Sequence, residues 1–175
     1  MKNTQIKISD IRSNRIAPFE IDDKKLIKLF SYFLHIAPTI NSGTAMSIDS
    51  SKLEGNWNKF IEQVSPKPHL FRSSSYPLEN CLKDYDLHSD AIVNRKSKGF
   101  ICKRKDNKGK EKDCQCFLRH LRNSIAHSNV FMLHKGNRKY LLFEDFNRNN
   151  ARTSIILCSQ TDLQRLKQEI MKQEK

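Results

Sequence analysis

The stretch KDCQCFLRHLRNSIAHS, residues 112–128, decides how the rest of the chain is read. Advanced by about 100° per residue, it gathers Cys114, Phe117, Leu118, Leu121 and Ile125 on one side. That is the pattern of a helix burying one face in a core. The opposite side collects Arg119, His120, Arg122, Asn123 and His127, with the small Ala126 among them, and no acid lies there to neutralise the two arginines. A guanidinium fork suits the oxygens of a phosphate. Imidazole as a side-chain type gives or takes a proton near neutral pH. The Asn123 amide orients a ligand without adding charge. Singly, each is what any solvated helix face carries; together they point to chemistry on a phosphate.

Upstream of this helix lies the most basic run, residues 95–112, RKSKGFICKRKDNKGKEK. With two glycines and little periodicity it reads as a basic loop or ragged hairpin. Its Lys103, Arg104 and Lys105 join Arg119 and His120 as expected RNA contacts. Downstream, NVFMLHKGNRKYLLFEDF (129–146) has two β-rich runs about KGNRK, the mark of a hairpin, and TSIILC (153–158) adds a third strand. Ser159, three residues before Asp162, starts a C-terminal helix in capping-box fashion.

Nearer the start, DDKKLIKLFSYFLHIA (22–37) repeats apolar residues at helical spacing, and Pro38 stops it. A polar loop over 39–51 precedes a shorter helix carrying Trp57, Phe60, Ile61 and Val64, ended by Pro66 and Pro68. Residues 76–94 read as a third helix with Leu78, Leu82 and Tyr85 inward. Residues 1–20 read as flexible. No repeat or second domain is visible, so residues 1–175 form one domain. The expected fold is mainly α: a helical bundle with a small three-strand addition after the motif helix and a final helix.

Composition narrows the partners. Thirty-two Lys and Arg against nineteen Asp and Glu give a net charge of +13, a surplus that raises affinity for polyanions. Solubility alone is the plainer account of such a charge. No apolar run is long enough to cross a bilayer, and the N-terminus does not resemble a signal peptide. Five cysteines, an odd number, suggest no disulfide framework, and a reducing cytoplasm is the expected location. Cys102, Cys114, Cys116 and His120 offer zinc-ligand chemistry, but their spacing is not that of a usual site. A buried-thiol role is simpler, and no metal or cofactor is expected. Cys116 and His120, four apart, lack the oxyanion site and orienting acid of a nucleophilic pair.

The run Arg122-Asn123-Ser124-Ile125-Ala126-His127 resembles the R-N-x-x-x-H signature of the HEPN superfamily, in a likeness spanning about fifteen residues, 114–130. The resemblance implies a helical bundle that dimerises through its motif helices, so that two copies of Arg122 and His127 line one cleft. Residues five apart on an ideal helix diverge by about 140°, which agrees with a need for a symmetric partner. It further implies a metal-independent endoribonuclease, toxin-like or antiviral. His127 would move the proton, Arg122 would hold the phosphate, and Asn123 would position either. An antitoxin or other regulatory partner is implied as well. Some HEPN toxins carry a tyrosine two residues after the motif histidine, modified by a partner nucleotidyltransferase. Asn129 stands there in this chain, so that pairing is not expected. The competing reading is a non-catalytic HEPN-like module that binds RNA or protein.

Overall fold

Gly136, at φ +61 in the left-handed region, turns the chain between β5 (Val130–Lys135) and β6 (Arg138–Phe146). Glycine adopts that backbone at no steric cost. The expected hairpin is therefore present, with Lys135 opposite Arg138 and Val130 opposite Phe143. β7 (Arg152–Cys158) continues it, setting Leu141 against Cys158 and Phe143 against Ile156. The computed structural model describes residues 5–37, 50–64, 77–105 and 111–172.

Two further strands overturn the mainly α expectation. β4 (Gly99–Cys102) pairs with β7 on one edge, and β2 (Arg15–Ile16) pairs with β5 on the other. The result is a five-stranded antiparallel sheet in the order β2-β5-β6-β7-β4, beside a two-stranded ribbon of β1 (Ile6–Lys7) and β3 (Ile92–Val93). The molecule is a mixed α/β fold, not a helical bundle with a small β addition. The physical reason lies in β4: four consecutive buried residues sit inside the basic stretch expected to be a loop. A Cβ on Gly99 would come within 2.8 Å of Leu87 Cδ1, so any larger residue there would require the buried Leu87 side chain to shift. The segment expected to be flexible likewise supplies β1, α1 (Ile8–Arg12) and β2.

Both faces of the sheet are covered. Helices α2 (Lys24–His35), α3 (Ser50–Gln63), α4 (Asp113–Ala126) and α5 (Gln160–Met171) pack on one face, meeting Phe100, Cys102, Leu141, Phe143, Ile156 and Cys158. Trp57 is its largest fully buried side chain, with ring centroids of Phe117 at 4.9 Å and Phe60 at 5.5 Å. Burying each such ring contributes roughly 1.5–3 kcal/mol. The alternate residues Ile101, Leu142, Ile155 and Leu157 face the other way, under α1 and the 78–93 segment. That segment was expected to be a helix. Instead two 3-10 turns, Leu78–Cys81 and Lys83–Tyr85, end at Asp86 in left-handed geometry (φ 54), and β3 follows. Among the described residues, no helix is long and apolar enough to cross a membrane.

Candidate active site at the end of the motif helix

α4 starts where the Glu54 carboxylate of α3 accepts the Cys114 amide at 3.1 Å, supplying one of the partners that helix starts require. Burial raises the Glu54 pKa above its usual value, against the opposing pull of that amide. At the other end the helix stops by a Schellman arrangement. Ser128 N–H donates to the Ile125 carbonyl at 3.1 Å, and Asn129 N–H donates to the Ser124 carbonyl at 2.8 Å. Ser128 stands at φ 55, where glycine is the usual occupant. His127 is thus the C-cap residue rather than part of the last helical turn.

Termination separates the polar residues that the helical repeat groups together. Arg122, half-buried, donates through Nε to the Leu34 carbonyl at 3.3 Å, in the last turn of α2. It makes no ion pair with a described residue. His127 is exposed, and its ring bonds to no described residue. Arg15 of β2 grips the adjoining turn, donating to the Ser128 carbonyl at 2.8 Å and to the Asn129 side chain. Two cations and an imidazole therefore collect about the helix end.

The upstream half of the same helix is closed. His120 is 1% exposed. Its Nδ1 lies 2.8 Å from Asp145 Oδ2, and its Nε2 lies 2.8 Å from the Lys103 carbonyl and 3.3 Å from Arg119 Nη2. No ring nitrogen is open to RNA. Arg119 donates from Nε to Glu111 at 3.0 Å. Burial acts against its charge, yet the Glu111 pair wins and holds its pKa above the usual value. The helix face itself offers no acid, but Arg119 is answered from outside it: Glu111, itself 3% exposed, comes from just before the helix. Arg104 pairs with Asp113 and donates to the Glu111 carbonyl at 3.0 Å. Lys103 is half-buried, with its backbone tied to Thr153 and His120. Of the five expected RNA contacts, only the Lys105 side chain is exposed.

Asn123 belongs to both halves. Its amide donates to Asp145 Oδ2 at 3.1 Å, beside the His120 contact, while Asp145 Oδ1 accepts the Phe146 amide at 2.9 Å. Sequence reasoning missed Asp145 and Arg15. A signal for the first was present: Glu144 and Asp145 are adjacent acids inside an apolar strand, so one must enter each face of a covered sheet. Each is answered there, Glu144 by Arg12 at 2.9 Å and Arg152 at 2.6 Å, and Asp145 by His120 and Asn123. Nothing local flags Arg15, whose role depends on pairing with β5.

All five cysteines are free and buried. Burial pushes the Cys102 thiol up to about 12 and raises Cys114 and Cys116 as well. Cys116 Sγ donates to the Lys103 carbonyl at 3.4 Å. Among the described residues, no three His, Cys, Asp or Glu side chains come together as a metal-ligand set.

A mixed sheet-and-helix fold with a half-buried arginine near the end of one helix and an exposed histidine at its C-cap defines the class: a small α/β domain with a polar, cationic helix end. A family model described as HEPN pEK499 p136 matches residues 50–173. The chain belongs to that HEPN family. No curated protein and no solved structure matches it.

Proposed function

We propose that the chain is a metal-independent endoribonuclease that cuts RNA at a composite site made by two copies. The observation that carries this reading is a half-buried Arg122 with no ion pair to a described residue and an exposed His127 five residues on, within the stretch that the HEPN family model matches, in a chain with net charge +13. Arg122 binds the scissile phosphate and stabilises the charge that builds on its oxygens. His127 takes the proton of the ribose 2′-hydroxyl as that oxygen attacks phosphorus, or returns a proton to the departing 5′-oxygen. The products are a 2′,3′-cyclic phosphate and a 5′-hydroxyl, and DNA, lacking the nucleophile, is not a substrate. Asn123, fixed by Asp145, positions the segment between them.

The face around Arg122 supports docking of a second copy. Arg122 rests on the last turn of α2, and next along that turn Ile36 leaves 45% of its surface exposed. Exposed Ala126 offers no bulk to keep a partner helix away. A toxin-like or antiviral role in the cytoplasm, under an antitoxin or other restraint, suits such an enzyme. The test is labelled RNA and matched DNA incubated in EDTA with wild type, Arg122→Ala and His127→Ala, all checked for folding and oligomeric state. RNA cut by wild type alone, leaving cyclic-phosphate ends, supports the proposal. RNA bound but left whole by wild type favours the non-catalytic module, and equal cutting by all three proteins would sink the assignment.

A further inference from the structure

The end of the sheet opposite His127 carries a second cationic feature. There β5 turns into β6, β7 finishes and β4 begins, as the pairings Lys135–Arg138, Leu141–Cys158 and Gly99–Leu157 fix. Between that edge and the start of α5 lies a cavity of about 460 Å³. Its wall includes Lys25, Arg95, Lys98, Arg138, Lys139 and Tyr140, and no carboxylate residue is among the described residues that line it. These cations come from three separate segments, the first turn of α2, the approach to β4 and the hairpin.

Two of the five are anchored by acids set behind the wall. Lys98 pairs at 2.9 Å with Asp162, whose side chain is 2% exposed, and Lys139 pairs with Asp23. The remaining three, Lys25, Arg95 and Arg138, form no ion pair with a described residue. Like charges converging on one concavity repel one another, and no described acid offsets Lys25, Arg95 and Arg138 there. An anion does so, through charge-assisted hydrogen bonds that guanidinium groups direct in pairs at phosphate oxygens. The volume falls within the range of small-ligand pockets, about 300–1,000 Å³, and Ser159 and Thr161 also line it.

We propose that this cavity binds a phosphate-bearing small ligand of nucleotide size, at a site separate from Arg122 and His127. The cations take the phosphate groups, and the Tyr140 side of the wall takes the less polar part. The site does not depend on the ribonuclease reading, since it shares no residue with the motif.

Calorimetric titration of the full chain with pyrophosphate, AMP and ATP, at constant ionic strength, tests it. The proteins are wild type, Arg95→Gln, Arg138→Gln, the double variant, and His127→Ala. Saturable binding of AMP or ATP by wild type and His127→Ala, weakened roughly 10-fold by each arginine substitution and further by both, supports the proposal. Because Arg95 is exposed and Arg138 half-buried, circular dichroism is expected to show unchanged folding. Binding of pyrophosphate with neither nucleotide overturns the nucleotide-sized site. Equal affinity in all arginine variants, loss of binding in His127→Ala, or saturable binding of short RNA with none of the small ligands, overturns it.

Discussion

His120 and His127 lie seven residues apart on one stretch of chain, and an ideal helix sets them within about 20° of one face. Their environments are opposite. His120 is 1% exposed and bound on both ring nitrogens, while His127 is exposed and bonds to no described residue. The difference has two causes. α4 crosses beneath the acid that β6 presents, so Asp145 captures the first histidine and Asn123 with it. The helix then ends at Ala126, releasing the second into solvent. A polar helix face is therefore not a solvent face; what packs opposite each position decides whether its polarity serves structure or chemistry.

Exchanging the two losses breaks or secures this contrast. His127→Ala is expected to lower RNA cleavage by about 10²–10⁴-fold, the range of a lost general acid or base. Stability should stay within about 0.5 kcal/mol of wild type, as for an exposed side chain. Cleavage rates beside denaturant midpoints read both quantities. A His127→Ala protein that unfolds early, or still cuts at the wild-type rate, removes the functional half of the comparison.

His120→Ala should do the reverse, costing about 3 kcal/mol, because it opens a cavity and leaves a buried carboxylate without its partner. Asp145→Ala should cost a similar ~3–5 kcal/mol, stranding His120, Asn123 and the Phe146 amide at once. Since both remove one network, the double variant should be less destabilised than the sum by about 1 kcal/mol or more. Urea titrations of the four proteins close the cycle. Strict additivity would mean that the 2.8 Å contact contributes nothing of its own.

How much of this was legible follows the same logic. The periodic helices were readable because their signals are local. The helix expected over 22–37 runs Lys24–His35, and that expected over 112–128 runs Asp113–Ala126. Ser159 and Asp162 make the expected reciprocal cap of α5, and the hairpin turns at Gly136. The five-stranded sheet was not readable, because its edges are short and pair over long separations. β2 is two residues long and meets Phe131 and Val130, more than a hundred positions away. Lysines and arginines on either side of β4 masked its apolar run. At the site, the motif named Arg122, Asn123 and His127, but burial of His120 and pairing of Arg119 depend on Asp145 and Glu111. The α3 residues are legible too, although the helix begins at Ser50, where a loop was expected. Pro66, Pro68 and the loop over 39–49 lie outside the described residues.

Smaller effects sharpen the contrast at the wall on which Arg122 rests. α2 is held at its start by Asp23, which accepts the Leu26 amide at 3.0 Å and pairs with Lys139. Asp23→Ala should cost about 1 kcal/mol or somewhat more, the usual loss of an N-cap. Its hydrogen bond with Lys139, and then the Leu26 amide, lower the Asp23 pKa below the ordinary 3.8. A depressed carboxyl stabilises the fold fully above its unfolded pKa, and that stabilisation fades as pH falls through the folded value. The gap between wild type and Asp23→Ala should thus be constant near neutrality and narrow below pH 3.8. Thermal melts across pH 2.5–7 check this, and a gap that widens in acid contradicts it.

Ser128→Gly has the smallest expected effect and acts directly on the open end of the helix. Ser128 holds φ 55 to complete the Schellman turn, and its exposed side chain makes no bond with a described residue. A left-handed residue with a Cβ is strained by about 1–2 kcal/mol. Glycine relieves that strain and gives part of it back as freedom in the unfolded chain, leaving a net gain of roughly 0.5–1 kcal/mol. The Arg15 bond to the Ser128 carbonyl is a backbone contact and survives the change. A rise in melting temperature with cleavage retained would mean that the turn only ends the helix and sets His127 in solvent. The same rise with cleavage reduced would mean that the stiffness of this turn also aims the imidazole, which would make the open end as closely positioned as the closed one.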